Sequence, residues 1–203
     1  MNERGMIFNA EMVRAILDGR KTQTRRPVKF PLIDKNMGCE LAGNELAGEL
    51  AAHNYWNSPY GKPGDRIWVR ETFRVHSRAT DVATLVYRAS VRNSWTEQTH
   101  RVPIAVCDKP ATPEKWTPSI HMPRWASRIL LEITDVRVER LRDLSEEDAK
   151  SEGITPPAGG VLPGWEYRIN FRNLWMDIYG TDSWEANPWV WVIEFKRVEG
   201  AAL

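Results

Sequence analysis

The chain has 203 residues, enough for one domain with a sizeable core, and 28 lysines and arginines nearly balance 27 aspartates and glutamates. A net charge of +1 argues against a general nucleic-acid coat, which needs a strong basic excess, but it allows a small basic site. Most of the ten tryptophans are expected in the core, although aromatic faces also suit a nucleobase pocket.

Cysteine and histidine spacing gives no sign of a metal site. Cys39 and Cys107 lack ligand spacing, and reduced thiols are favoured over a disulfide. No two histidines have the close spacing of metal ligands, and the four are His53, His76, His100 and His121. Neither a metal nor a cofactor is therefore predicted. The N-terminal residues lack the apolar segment of a signal peptide, and no apolar run reaches the ~18 residues of a membrane helix. The expected location is the cytoplasm, without membrane contact.

The first predicted element is a helix over about residues 10–18, capped by Asn9 and followed by Gly19. Its apolar face comprises Met12, Val13, Ile16 and Leu17. Residues 36–65 are predicted to be irregular, with one short helix near 45–52. A turn at residues 62–65 then leads into a strand through Ile67 and Val69.

Three further strands are predicted at 82–88, 101–106 and 128–139, and a buried strand at 188–195. In the third, Leu131 and Ile133 have the opposite parity to Val136 and Val138, which predicts a bulge or bend at residues 134–135.

Two helices are predicted in the C-terminal half. Ser145 and Asp148 have capping-box spacing, and that helix is expected to end at Gly153. A second, stopped by Gly180, has an apolar face of Phe171, Leu174, Trp175 and Ile178. Separated strands with interspersed helices indicate an α+β fold, with a small mixed barrel expected.

The basic stretch "GRKTQTRRP" at 19–27 has three interpretations. On pattern alone a hydrated turn is favoured. Arginine forks and threonine hydroxyls also bind phosphate, although the Walker spacing is absent. A catalytic role requires a lysine whose pKa is lowered by burial or cationic neighbours, acting as base for a threonine hydroxyl. Because Lys21 and Thr24 would point to opposite faces of a straight strand, that role predicts a turned or helical segment.

Four motifs occur in the order found in ASCH-domain proteins of the PUA-like superfamily: "ILDGRKTQTRR", "KPGDRIWVRETF", "LSEEDAKSEGI" and "NPWVWVIEF". The stretch "SIHMPRWASRILLEITDVRVERL" resembles the larger phage- or prophage-encoded members, and this similarity runs almost from end to end. The core also resembles bacterial N4-acetylcytidine amidohydrolases. The resemblance implies a PUA-like mixed β-barrel, one domain over 1–203, with peripheral helices and insertions at about 30–60 and 72–124.

In the amidohydrolases the catalytic groups are a lysine, a threonine and a glutamate. Matched residue by residue, the resemblance places them at Lys21, Thr24 and Glu152. Without it, Glu152 is better explained as a solvated helix-end carboxylate, although a negative charge near a helix C-terminus is unfavourable. The implied scheme requires no metal.

Eight residues are candidates for substrate binding. Without a binding role, Trp68 is expected to lie in the core, and Arg70 and Glu71 could form a structural ion pair. His121 is a lone histidine, and such residues are more often structural. Alternatively, Glu71 could accept a hydrogen bond from a cytosine amino group. The full set is Arg20, Thr22, Tyr60, Trp68, Arg70, Glu71, His121 and Arg124.

The function predicted from this resemblance is removal of the acyl group from an N4-acylated cytosine nucleoside or base. The expected partner is a small modified nucleoside, or RNA, and a monomer is favoured. Two alternatives stay open: a regulatory RNA-binding module, which the near-neutral charge disfavours, and a metal-dependent ribonuclease, which the lack of a carboxylate or histidine cluster disfavours.

Overall fold

The computed structural model describes residues 1–90, 99–156, 164 and 166–198, and it shows an α+β protein. The strands are β1 (Glu3–Ile7), β2 (Gln23–Pro27), β3 (Arg66–Arg70), β4 (Phe73–Arg78), β5 (Val82–Tyr87), β6 (Thr99–Pro103), β7 (Leu130–Arg140) and β8 (Trp189–Arg197). The helices are α1 (Ala10–Leu17), α2 (Gly43–Ala51), α3 (Glu146–Ser151) and α4 (Glu166–Tyr179). None of the described helices combines the length and apolar character needed to cross a membrane.

The chain forms two compact units, each built from separated segments. The first comprises residues 1–18, 66–132 and 197–203, and the second comprises 19–65 and 133–196. Strand β7 contributes its first three residues to the first unit and the rest to the second. The prediction of a single domain stays a prediction.

In the first unit β1 pairs in parallel with β3, and β3 pairs antiparallel with the start of β7. Strands β4, β5 and β6 form an antiparallel sheet. Its apolar face packs into a core that includes Phe73, Leu85 and Tyr87. Helix α1 begins as predicted, because the Asn9 side chain accepts a hydrogen bond from the Met12 backbone N–H at 2.8 Å.

In the second unit β8 lies between β7 and β2, and it pairs antiparallel with β2. Four consecutive residues of β8 are buried, as predicted for a strand covered on both faces: Val190, Trp191, Val192 and Ile193. A core containing Leu141, Phe171 and Trp175 joins α3 and α4 to this sheet. A backbone hydrogen bond from the Thr22 N–H to the Ser151 carbonyl, 2.8 Å long, joins the end of α3 to the residue before β2.

Most predicted elements are confirmed, with shifts of a few residues. Strand β6 ends at Pro103 rather than 106, because the chain turns there and the Val106 N–H donates to the Pro103 carbonyl. The predicted parity change in β7 is confirmed, because the buried positions shift across residues 134–135, between Ile133 and Val136. One apolar-face assignment in α4 is wrong, since Ile178 is 47% exposed.

The expected closed barrel is not present among the described strands. Within the described residues, strand β1 pairs only with β3, β2 pairs only with β8, and the β4–β5–β6 sheet is open. Strands β1, β2 and β4 were not predicted. Part of the second predicted insertion, residues 91–98, lies outside the described residues.

Candidate active site

The site is built on the start of β2, in the second unit. Residues 23–27 are extended, so side chains alternate between the two faces of the strand. Lys21, Gln23 and Arg25 share one parity, and all three are buried. The backbone is held on one side by β8 and on the other by the end of α3, where the Thr22 N–H donates to the Ser151 carbonyl at 2.8 Å.

Helix α3 determines the position of Glu152. The Ser145 hydroxyl accepts a hydrogen bond from the Asp148 N–H, and the Asp148 carboxylate accepts one from the Ser145 N–H, which confirms the predicted capping box. Glu152 is the last residue with helical geometry, and Gly153 follows with φ 82°. The left-handed glycine turns the chain away from the helix. Glu152 is therefore fixed at a helix end, yet it is only 5% exposed.

Lys21 and Glu152 form a buried pair. The Lys21 ammonium donates to Glu152 Oε2 at 2.7 Å and to the Glu152 backbone carbonyl at 2.9 Å. The side chain of Lys21 is fully buried, and that of Glu152 is 4% exposed. The structure thus brings together two of the three residues predicted to be catalytic.

Arg25 binds the other oxygen of Glu152. Its Nη1 donates to Glu152 Oε1 at 3.2 Å, while Nη2 and Nε donate to Glu139 Oε1 at 2.5 and 3.2 Å. The Arg25 side chain is fully buried. Because both Glu152 oxygens have charged donors, its carboxylate is held in one orientation.

Arg137 extends this cluster toward solvent. It contacts Glu139 at 3.3 Å, Asp148 at 3.4 Å and Asp135 at 3.2 Å, and it also pairs with Glu194. A third of the Arg137 side chain is exposed. The buried pair is therefore one end of a charged network that reaches the surface.

Burial lowers the pKa of Lys21; the charge and hydrogen bond of Glu152 oppose this, while Arg26 and Arg25 contribute smaller decreases. This direction favours a neutral amine, the form that accepts a proton. For Asp148, burial acts to raise the pKa, but hydrogen bonds from Ser145 and Gln23 outweigh it and lower the pKa to about 2. Asp148 thus stays ionised beside Arg25.

Thr24 is not part of this cluster. It has the opposite parity to Lys21 in an extended segment, and no hydrogen bond joins the two side chains among the described residues. Thr24 is 2% exposed and pairs through its backbone with Ile193 of β8. The turned or helical conformation that would make Lys21 and Thr24 converge is therefore not adopted here.

A surface cavity of about 390 Å³ lies beside the buried pair. It is lined by Arg20 and Thr22, the two neighbours of Lys21, and by Ser151, the residue before Glu152. Glu147, Lys150, Thr155 and Tyr167 contribute further polar groups to its wall. Two predicted substrate-binding residues therefore share one cavity, whereas buried Lys21 and Glu152 do not line it.

The other predicted substrate-binding residue in this unit, Tyr60, packs edge-on against Trp191 with ring centroids 5.8 Å apart. Burial raises the pKa of its hydroxyl, which keeps it neutral. The contact with Trp191 gives Tyr60 a structural role, as a side chain that packs against β8.

The remaining five predicted binding residues belong to the first unit and make contacts within it. Buried Glu71 pairs with Arg128 at 2.9 and 3.0 Å, not with Arg70. Arg70 donates to the backbone carbonyls of residues 119 and 120 and lies over the ring of Trp68. Arg124 pairs with Glu3 at 2.9 Å, and His121 is exposed on a 3-10 turn.

Sequence reasoning missed the acidic members of the network, above all Glu139 and Asp148. The alternation of Lys21, Gln23 and Arg25 was a usable signal, because three long polar side chains on one face of a strand require polar partners. Nothing in the sequence indicated which carboxylates those would be. Their separation from Arg25, 114 residues for Glu139, places them beyond local pattern analysis.

In the part of the chain that the structure describes, no three His, Cys, Asp or Glu side chains are grouped as metal ligands. Cys39 is exposed, Cys107 is buried, and both are free thiols.

No family model, no curated protein and no solved structure matches this chain. The chemistry of the cluster must therefore be judged from its own geometry.

Proposed function

We propose that this chain is a PUA-like ASCH-domain amidohydrolase that removes the acyl group from an N4-acylated cytosine nucleoside or base such as N4-acetylcytidine. The observation that carries the proposal is the buried 2.7 Å contact between Lys21 and Glu152. These two residues are 131 positions apart in the sequence, and the resemblance implies catalytic roles for both.

In the proposed reaction the Thr24 hydroxyl adds to the acyl carbon, and its proton passes to neutral Lys21. Lys21 transfers the proton to Glu152, which delivers it to the departing N4 nitrogen as the C–N bond breaks. Water then hydrolyses the acyl ester, which releases a carboxylic acid and restores the threonine. Burial of Lys21 supports this scheme because it lowers the pKa of the ammonium, which makes loss of its proton easier.

The scheme has one conformational requirement. Since Thr24 and Lys21 leave the extended segment on opposite sides, residues 22–24 must turn when the substrate binds. Thr22 is the natural comparison, because it is exposed and lines the neighbouring cavity.

The decisive experiment incubates the purified chain with N4-acetylcytidine and, separately, with a short RNA, and follows cytidine, acetate and RNA fragments by chromatography. We expect cytidine and acetate in equal amounts, with or without EDTA. Thr24→Ala should abolish hydrolysis, while Thr24→Ser retains part of it and Thr22→Ala retains most. Glu152→Gln should lower turnover by about 10²–10⁴-fold and remove one limb of the pH profile.

Hydrolysis that survives in a folded Thr24→Ala variant but not in Thr22→Ala would assign the nucleophile to Thr22. No hydrolysis of any N4-acylcytosine compound, together with RNA binding or cleavage, would replace the proposal by one of the RNA functions. Thermal unfolding of every variant distinguishes loss of chemistry from loss of fold.

A further inference from the structure

A second surface cavity, of about 350 Å³, lies in the second unit between the loop after Asp34 and the segment that follows α2. Its walls include Asp34, Met37, Glu49, Trp56 and Asn57, and we call it the Trp56 cavity. No residue of the charged network around Lys21 lines it. It therefore requires an explanation of its own.

The floor of the Trp56 cavity is a fixed polar arrangement. The Asn57 amide nitrogen donates to Glu49 Oε2 at 2.9 Å and to Asp34 Oδ2 at 3.3 Å. The Asn57 amide oxygen accepts from the Lys35 N–H at 3.0 Å. Asp34 Oδ1 accepts from the N–H groups of residues 36 and 37 at 2.6 and 2.8 Å. Asp34 is 6% exposed and Asn57 is 3% exposed, so the floor is preformed.

This floor is negatively charged, because the backbone N–H groups of Met37 and Asn36 lower the pKa of Asp34 and favour its ionised form. Two carboxylates share one neutral amide, and among the described residues neither Asp34 nor Glu49 forms an ion pair. The ammonium of Lys35, the residue after Asp34, donates to the Trp56 carbonyl at 2.9 Å and not to either carboxylate. Glu49 also lies in the last turn of α2, which has no basic residue there. The negative helix end adds to the attraction for a cation.

Above this floor the cavity is lined by the apolar side chains of Trp56 and Met37, together with Asn36 and Asn54. The Trp56 side chain is 64% exposed, Met37 is 75% exposed, and no ring contact to Trp56 is present among the described residues. An indole face attracts cations through its quadrupole, and a methionine adapts its shape to a ligand. An open aromatic wall above a negative floor is a combination that recognises organic cations.

Other ligand classes fit less well. A phosphate group would be repelled by Asp34 and Glu49. A calcium ion requires six to eight oxygen ligands, whereas two carboxylates with one shared amide supply few, and Asp34 Oδ1 already accepts two backbone N–H groups. A neutral aromatic ligand would stack on Trp56 but would gain nothing from the carboxylates of Asp34 and Glu49.

We propose that the Trp56 cavity binds an organic cation, an alkylammonium or guanidinium group, over the indole of Trp56 with its charge directed at Glu49 and Asp34. The group belongs either to a free small amine or to a lysine or arginine side chain of another polypeptide. This site is independent of the amidohydrolase proposal, and it holds or fails whether or not the chain hydrolyses an amide.

The experiment titrates the full chain with choline chloride and with N-acetyl-arginine methylamide, and follows the Trp56 indole N–H by NMR. The signal is assigned by its loss in Trp56→Phe. The control ligand is 3,3-dimethylbutan-1-ol, which has the shape of choline without its charge. We expect both cations to shift the signal saturably and the neutral analogue not to do so. Tighter binding of choline indicates a small amine, and tighter binding of the arginine compound indicates a polypeptide side chain.

Two variants test the two parts of the cavity. Trp56→Ala should weaken choline binding, measured by calorimetry, by about threefold to thirtyfold, whereas Trp56→Phe should retain most of it. Glu49→Gln keeps the shape and should weaken binding to a similar extent. Glu45→Gln, an exposed carboxylate in the same helix, should leave it unchanged. Equal binding of choline and its neutral analogue, or no saturable shift with either cation, overturns the proposal.

Discussion

Lys21 holds Glu152 at two points, because its ammonium donates both to the carboxylate and to the backbone carbonyl of the same residue. The first bond depends on the Glu152 side chain, but the second does not. A substitution at Glu152 therefore changes the chemistry of the pair while Lys21 keeps one of its anchors. Glu152→Gln is therefore a better probe of function than a substitution of Lys21. Removal of the Lys21 ammonium leaves the buried Glu152 carboxylate with Arg25 as its remaining charged donor.

Burial is expected to lower the pKa of Lys21 below the ordinary value of 10.5. Between the lowered value and 10.5 the unfolded chain binds more protons than the folded one, so the free energy of unfolding should rise with pH in this interval. NMR with ¹³C-labelled lysine measures the titration directly, and Lys21→Met identifies the signal. A Lys21 titration at or above 10.5 would contradict the inference.

Because the pKa of Asp148 is lowered, the stability of the second unit is expected to fall in acid. Its folded pKa of about 2 lies below the unfolded value of 3.8, so its contribution is complete above pH 3.8 and is lost as pH falls toward 2. Urea unfolding from pH 5 to pH 2.5 should show a smaller loss of stability in Asp148→Asn than in the parent. Parallel pH dependence in both proteins would show that Asp148 does not contribute.

Arg25 is expected to be essential for stability as well as for the orientation of Glu152. Arg25→Gln leaves Glu152 and Glu139 without their shared buried cation, which should lower the free energy of unfolding by about 3–5 kcal/mol. The matched control is Arg142→Gln, because Arg142 pairs with Glu185 at the exposed surface. That variant should change stability by less than about 1 kcal/mol, as judged by urea denaturation. Similar losses in both variants would refute the distinction.

In the first unit, the cap of α1 provides a local test. Asn9→Ala removes the acceptor for the Met12 N–H and should lower stability by about 1 kcal/mol, while Asn9→Ser should retain most of it. Thermal unfolding of the three proteins is sufficient. An unchanged midpoint for Asn9→Ala would mean that packing of α1, and not its cap, determines where the helix begins.

Local chemistry made much of the fold predictable. Helices α1 and α3 were located because a capping side chain and a following glycine mark their ends in the sequence. Strand β8 was located because it is apolar on both faces. Strand β1 carries no such signal, since only Met6 among its five residues is buried, and pairing with β3 creates it.

The candidate site was predictable only in part. The resemblance named Lys21 and Glu152, and the structure brings these two together. It did not foresee that the segment runs extended, which separates Thr24 from Lys21. The reason is physical: pairing with β8, more than 160 residues later in the chain, determines the conformation of residues 23–27, and no local propensity reports it.

The segmented construction of the two units has a consequence for biosynthesis. Residues 19–65 cannot complete their unit until β8, Trp189–Arg197, has been synthesised, because β8 is the only partner of β2 among the strands that the structure describes. The nascent chain must therefore leave the ribosome with the Lys21 segment unpaired and its buried charges still hydrated. Such long-range pairing is slow. Fragments truncated before β8 should consequently be captured by chaperones or degraded rather than accumulate as a folded half.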